Sequence, residues 1–480
     1  MDSASFQFVL FGLAAALVSN FSTSRIWRSI ILLVASIVFL GLSDHNPIAF
    51  LPLAGFLLVG YGGLVLLDRG WSRSSVWSIL AVIFVYVWLK KYTLLPEGIF
   101  IHHPYFTLGL SYIFFRVLHL LIETGGGGKK RHIGMAAYLL YTLNFTTLVS
   151  GPIQRYDEFA RDQFADEPVH LGWRMIGLQL ERIVRGLFKV NVLAMLLHVL
   201  QEDALAQMQQ TLPLSVRLLA ACKLVVVYPF FLYANFSGYI DIVIALARLM
   251  RVRLPENFNR PFSATSFLEF WNRWHITLSN WLKTYVYNPL LLALMRRISS
   301  LGAEPYLGVF CFFVTFFLIG IWHGRTSEFI FFGVLTGGGM SANKLWQLGL
   351  TRALGRKGYK ELAKSPAYEA LGRGLNLVWF AFTLFWFWGS WEQIGRIFTA
   401  LGAAHWLGVL LAVWLFATPV LASWEWLRAV LLSINVAFSE GSLLTSRYAR
   451  VVWATALALL TLVMGFVLQE PAPDIVYKSF

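Results

Sequence analysis

The chain has 480 residues, of which 58% are hydrophobic and only 13% charged, with a formal net charge of +14. A water-soluble fold of this length needs a far more charged surface. Its Lys and Arg are scattered between apolar runs and form no stripe, which argues against nucleic-acid binding. What remains is a chain whose solvent is lipid, with a basic face suited to anionic headgroups or to an acidic partner.

In chain order the apolar runs are Phe6–Val18, Ile26–Leu42, Ile48–Leu67, Val76–Leu89, Tyr105–Ile122, Ile133–Val149, Ile183–Leu200, Leu214–Phe236, Tyr306–Ile321, Phe329–Leu350, Leu375–Trp388, His405–Ala422 and Val451–Leu468. Together they give about eleven to thirteen segments, many near the length of a spanning helix. The alternation of a β-barrel is absent, so the fold class is an all-α polytopic membrane protein. Met1 to Ser5 carries Asp2 and no Lys or Arg, so the first run does not read as a signal peptide. Arg25 and Arg28 follow it, which turns the N-terminus outward and the 22–28 turn toward the cytosol. Arg69 and Arg73, then Lys129–Lys130–Arg131, agree. Lys90 and Lys91 fall on the opposite side and are expected to snorkel, or to sit in a segment that does not span. Beyond residue 150 the charge pattern does not decide topology. Cys222 and Cys311 lie in apolar runs and read as packing residues. Gly125–Gly128 is a linker.

Two polar stretches are long enough to matter. Tyr156–Arg174 reads as a cytosolic loop, and Thr351–Lys364 as a basic cytosolic loop or interfacial helix. A third stretch, 259–290, is the most polar and aromatic part of an otherwise apolar chain. Between Pro261 and Pro289, residues 265–288 have helical propensity. Glu269 and Arg273 stand four apart in the favourable acid-first order. Trp271, His275 and Ser279 recur every four residues and so share one helix face. Phe270, Trp274 and Trp281 form an adjoining aromatic stripe, and Asn272 and Lys283 add donors. Such a helix lies flat at the interface or lines a water-filled cavity. For most of these side chains the competing role is an amphipathic collar, with rings at the headgroups and cations on phosphates.

Gly320–Ile321–Trp322–His323–Gly324 ends an uncharged run, so His323 sits near the end of a span. An ionisable group there is costly and is a functional hypothesis by default. The flanking glycines leave room for another backbone or a substrate. Histidine also titrates in the range that suits proton transfer. The competing role is a helix-end anchor. In Asn235–Phe236–Ser237–Gly238–Tyr239–Ile240–Asp241, Asp241 either orients a helix or lines the same cavity as Asn235.

These stretches carry a resemblance. "SGPIQRYDEF" at 150–159, "FSGYIDIVIALARLMRVRLPENFNRPF" at 236–262, "SFLEFWNRWHITLSNWLKTYVYNPL" at 266–290 and "GIWHG" at 320–324 occur in this order in membrane-bound O-acyltransferases. The bacterial branch is the most similar: alginate, peptidoglycan and cellulose O-acetyltransferases and the teichoic-acid D-alanyl transferases. The resemblance covers about residues 145–330 and implies one integral-membrane domain over 1–480 with its catalytic core at 145–345. It implies a ring of roughly eleven transmembrane helices, plus interfacial or re-entrant ones, enclosing a funnel and tunnel. It implies transfer of an acyl group from a cytosolic thioester to an outer hydroxyl. His323 maps onto the family's shared histidine and His275 onto its second one. Trp322, Asn272, Arg273, Trp274, Ser279, Asn235, Asp241 and Glu269 are the expected cavity residues.

No permanently bound cofactor and no metal is expected, because a thioester is already activated. The co-substrate is acetyl-coenzyme A or an acyl carrier protein. The acceptor is an exported polysaccharide or a secreted partner protein, and the place is a bacterial cytoplasmic membrane. Transfer of D-alanine from an acidic carrier to teichoic acid is the alternative within the family. A transporter, or a non-catalytic anchor of an export complex, is the alternative outside it. One departure stands out: relatives carry a second histidine some fifteen residues after the first, where "GVLTGGGM" here has Thr336. Arg325 and Glu328 also depart from the usual pattern.

Overall fold

A computed structural model describes residues 5–71, 74–93, 95–126, 132–298, 300, 302–433 and 447–468. Expectations placed on Asp2, Arg73, Gly127, Gly128 and Lys129–Lys130–Arg131 lie outside the described residues. Helices dominate because a chain in lipid must satisfy its backbone polar groups within each segment. Their starts are marked by short polar side chains. Ser5 accepts from the Phe8 N–H at 3.1 Å, and Ser365 and Ser390 accept from Tyr368 and Gln393, each at 3.3 Å.

Among the described residues eight helices are long and apolar enough to cross a bilayer. They are Arg25–Ser43, Pro47–Asp68, Trp173–Gln209, Leu214–Leu249, Glu304–His323, Pro366–Trp388, Ala403–Leu431 and Tyr448–Val467. Phe6–Ser19 and Ser74–Leu89 are shorter apolar helices. The protein is therefore a multi-span membrane protein. The expected run Ile133–Val149 is corrected. It breaks into Met135–Thr142 and Phe145–Leu148, because the Asn144 side chain accepts from Thr146 N–H at 3.1 Å and starts a new helix. The Tyr105–Ile122 run becomes the helix Leu110–Gly125, entered through Gly109 at φ 75°. A Cβ at Gly109 would stand 2.5 Å from the Leu148 carbonyl oxygen.

The chain forms two compact units. Among the described residues, one holds those from 5 to 187 together with Gly238–Glu256; the other holds Phe188–Ser237 and those from 257 to 468.

Buried arginines tie the first unit. Arg116 donates to the carbonyls of Tyr141 at 3.0 Å, Thr142 at 2.8 Å and Thr147. Arg28 was expected in a cytosolic turn; it is instead buried in the helix Arg25–Ser43. It donates to the carbonyls of Asp162 at 3.1 Å and Ala165 at 2.6 Å. The expected loop Tyr156–Arg174 is corrected too, since it opens with a helix, Tyr156–Gln163. Asp157 and Glu158 occupy its first turn, where the helix dipole favours acids. The buried Asp162 carboxylate accepts from the Arg253 backbone N–H at 2.8 Å and its Nε at 3.0 Å. Burial raises the Asp162 pKa, but these bonds outweigh it and hold the group below the usual carboxylate range. The Asn20 amide donates to the Leu249 carbonyl at 2.8 Å, and Arg251 Nε donates back to Asn20 at 2.7 Å. The end of the helix Leu214–Leu249 thus shares one face of the unit with the 20–28 turn, a point the charge pattern left open.

The second unit is built around a helical hairpin, Glu304–His323 against Ser327–Ala363. Glycines let the two backbones touch. A Cβ at Gly320 would lie 2.2 Å from Gly333 Cα, and one at Gly337 would lie 2.7 Å from the Phe313 carbonyl oxygen. The stretch 351–364 is the end of the second hairpin helix with Lys364 as its C-cap, and the helix kinks at Gly355 with φ 71°. The helix Pro366–Trp388 clamps the start of the polar stretch: Arg373 Nε donates to Ser263 O at 3.2 Å and Asn376 Nδ2 to Ala264 O at 2.9 Å.

Candidate functional site

The polar stretch is not one helix. Phe267–Trp271 and Ile276–Leu282 are separate helices, and His275 between them adopts φ 44°, ψ 51°. The expected shared face of Trp271, His275 and Ser279 is therefore corrected. The physical reason is a competing set of hydrogen bonds. Ile276 N–H donates to the Asn257 carbonyl and Asn259 N–H to the Arg273 carbonyl, both at 2.9 Å. These two bonds pin the turn against residues 257–259 and hold a left-handed conformation that a residue with a Cβ seldom adopts.

The local charges serve that turn. Ser266 caps the first helix through the Glu269 N–H at 3.2 Å. Glu269 accepts from Thr265 N–H at 2.8 Å and from Arg273 at 2.7 and 3.0 Å. Burial raises the Glu269 pKa, and these donors more than reverse it, so the carboxyl lies below its ordinary value. Asn272 is exposed at the end of the helix Phe267–Trp271. Trp274 is buried, stacked on Phe270 at 5.6 Å and edge-on to Phe380 at 5.0 Å. Ser279, half-buried, points its hydroxyl at the Trp274 carbonyl at 3.5 Å.

His275 is fully buried, and burial pushes its pKa down to about 3, so the ring is neutral at physiological pH. Its Nδ1 lies 3.2 Å from Asn257 Oδ1. The same oxygen receives the Thr277 N–H at 3.1 Å and the Thr277 hydroxyl at 2.8 Å. Phe236 stands edge-on to the His275 ring at 5.0 Å. Asn235, the residue before it, is fully buried.

His323 is the last residue of its span and is 2% exposed. Its surroundings are rings: Trp322 at 4.8 Å, Phe387 at 5.1 Å and Phe332 at 5.9 Å between centroids. Trp322 also meets His275 at 6.3 Å, so one indole lies against both imidazoles. The room at Gly320 is used by the backbone of Gly333, and that at Gly324 by the Phe329 ring, 2.0 Å from a would-be Cβ. Thr336 is fully buried and donates to the Phe332 carbonyl at 2.6 Å. Glu328 accepts from the Trp391 N–H at 3.1 Å.

The second unit therefore gathers His275, His323, Trp322, Trp274, Asn272, Arg273, Ser279, Glu269 and Asn235. Asp241 belongs to the first unit, where it accepts from Arg182 Nε at 2.9 Å and faces Arg185 Nε at 3.6 Å. The residue that the sequence reading passed over is Asn257. It lies in the quoted "PENFN", but the pairing of its amide with a ring eighteen positions on leaves no periodic signal.

The arrangement is two buried imidazoles, one at the end of a membrane span and one held neutral by burial, joined by an indole in an aromatic enclosure. It is suited to moving protons away from bulk water.

A model of the membrane-bound O-acyltransferase family matches residues 85–357. The chain is 30% identical over 288 residues to the teichoic acid D-alanyltransferase of Streptococcus thermophilus. It is 32% identical over 246 residues to the peptidoglycan O-acetyltransferase of Helicobacter pylori. It is 29% identical over 309 residues to "Probable alginate O-acetylase AlgI" of Pseudomonas fluorescens. These matches take in 58%, 51% and 64% of this chain, and 68%, 43% and 54% of the relatives.

Proposed function

The chain belongs to the membrane-bound O-acyltransferase family, and from that premise we propose that it moves an acetyl group from a cytosolic thioester to a hydroxyl of an exported polysaccharide or of a secreted acceptor protein. The place is the cytoplasmic membrane of a bacterium. The observation that carries the reading is His323, buried among rings at the end of a span with His275 across one indole.

In this reading neutral His323 takes the proton of the acceptor hydroxyl. The oxygen forms the new ester bond at the thioester carbonyl, the carbon–sulfur bond breaks, and the leaving sulfur takes the proton back from His323 and departs toward the cytosol as the thiol. General-base assistance contributes about 10²–10⁴-fold, and a dry enclosure suppresses hydrolysis. The donor is acetyl-coenzyme A or an acyl carrier. A second reading, D-alanyl transfer from a carrier protein to teichoic acid, is favoured by the relative of that name, the one of the three with the largest share of its length matched.

The test compares cell envelopes from wild-type and His323→Ala strains. Ester-linked groups are released by mild base and identified by mass spectrometry. Loss of acetate in the variant, at unchanged protein level, is the expected result, and loss of D-alanine instead selects the second reading. Equal release from both strains removes His323 from the chemistry. His323→Gln, which keeps much of the ring's volume, is expected to fail equally if the base is what matters.

A further inference from the structure

Asn257 lies outside the residues so far given a role in the reaction. It is fully buried, and the geometry around it is over-determined. Thr277 N–H is a backbone donor and nothing else, so the Asn257 atom 3.1 Å from it is the amide oxygen. That oxygen accepts only. His275 Nδ1, 3.2 Å from the same atom, must therefore be the donor. It follows that the neutral ring carries its proton on Nδ1 and its lone pair on Nε2. The other half of the same amide points to a ligand: Asn257 Nδ2 is buried with no hydrogen-bond partner among the described residues. A buried amide N–H without an acceptor is costly, and an arriving oxygen atom would relieve that cost.

We propose that Asn257 is both a positioning and a binding residue: its Oδ1 fixes His275 in the Nδ1–H tautomer, and its Nδ2 donates to the carbonyl oxygen of the bound thioester. A carbonyl fits because Nδ2 offers only hydrogens, and because negative charge grows on that oxygen as the acceptor attacks. The second half of the proposal rests on the acyl-transfer reading; the first half does not.

The experiment uses the full-length protein in lipid nanodiscs with ¹⁵N-labelled histidine. The His275 resonances are identified by their loss in His275→Gln. The wild type is expected to show a protonated Nδ1 and an unprotonated Nε2. A protonated Nε2 would overturn the clamp outright, without any variant. Asn257→Leu, which removes the acceptor of His275 and Thr277, is expected to melt lower and, in its folded state, to give a mixture of tautomers; an unchanged tautomer in the folded variant also counts against the clamp. Asn257→Asp keeps an oxygen for His275 and Thr277 but removes the N–H donors. It is expected to keep the Nδ1–H signature and to lose about 10²-fold in kcat, the scale of one donor to a developing oxyanion. The probes are acetyl-coenzyme A and a D-alanyl-pantetheine thioester. Transfer by Asn257→Asp at the wild-type rate rules out the donor role. If the wild type transfers from neither thioester, the acyl-transfer reading fails and takes the donor role with it, while the tautomer result still decides the clamp.

Discussion

The two histidines are held by opposite means. His323 is held by shape. It ends a span, rings surround it, and its helix is fixed by a neighbouring backbone that comes within reach only because Gly320 and Gly333 face each other. His275 is held by polarity. It sits in a left-handed turn that two backbone bonds and one asparagine oxygen keep in place. Shape-held groups tolerate changes in polarity nearby and not changes in volume, whereas the reverse holds for a group on a hydrogen-bond network.

The largest effect is expected from breaking the shape side. Gly320→Val places two methyls where the Gly333 backbone stands, 2.2 Å from the first carbon alone. Overpacking of this kind costs about 1–3 kcal/mol or more. The hairpin must open, so a lower melting temperature in detergent and loss of transfer activity are expected together. A variant that melts and works like the wild type would show that the contact does not set the position of His323.

The polar side is tested by pH. The folded-state pKa of His275, about 3, lies below its ordinary value near 6.5. The unfolded chain therefore binds a proton that the folded one refuses. The contribution is complete above about pH 6.5 and is lost as pH falls from there toward 3, at up to about 1.4 kcal/mol per pH unit. Melting temperatures between pH 7 and 5 are expected to fall for the wild type and to fall less steeply for His275→Gln. Asp162, whose pKa is lowered as well, adds its loss only as pH falls through the ordinary carboxylate value, so between pH 7 and 5 the difference in slope between the wild type and His275→Gln reports on His275. Parallel slopes in the two proteins would mean that the imidazole is not shielded.

The smallest effect sharpens the same contrast. Thr277→Val keeps the volume and removes the hydroxyl that donates to Asn257 Oδ1 at 2.8 Å. A cost of about 1 kcal/mol is expected, with a modest fall in transfer rate. The corresponding change on the hairpin helix that packs against the His323 span, Thr336→Val, removes a hydroxyl that donates to its own helix carbonyl and is expected to leave the rate unchanged. Equal losses at the two positions would erase the distinction.

The sequence by itself determined the solvent, the helical class and the family, and it singled out the two histidines as candidates. Each is written in local composition or in an ungapped motif: apolar runs of spanning length, "FWNRWH", "GIWHG". It also marked Glu269 with Arg273, because a pair four apart meets on any helical turn, and the structure joins them at 2.7 Å. Only the tertiary structure decided where the polar stretch breaks. Residues 265–288 read as one helix until Asn257, eighteen positions before His275, competes for the turn. It alone turned Arg28 inward, since the carbonyls that receive it belong to residues more than a hundred positions away, and it alone gave the glycines of "GIWHG" their partners across the hairpin. Hydropathy and helical spacing are properties of neighbours along the chain. The hydrogen bonds and close contacts that orient the histidines join distant segments, and no pattern along the chain records which of them will meet.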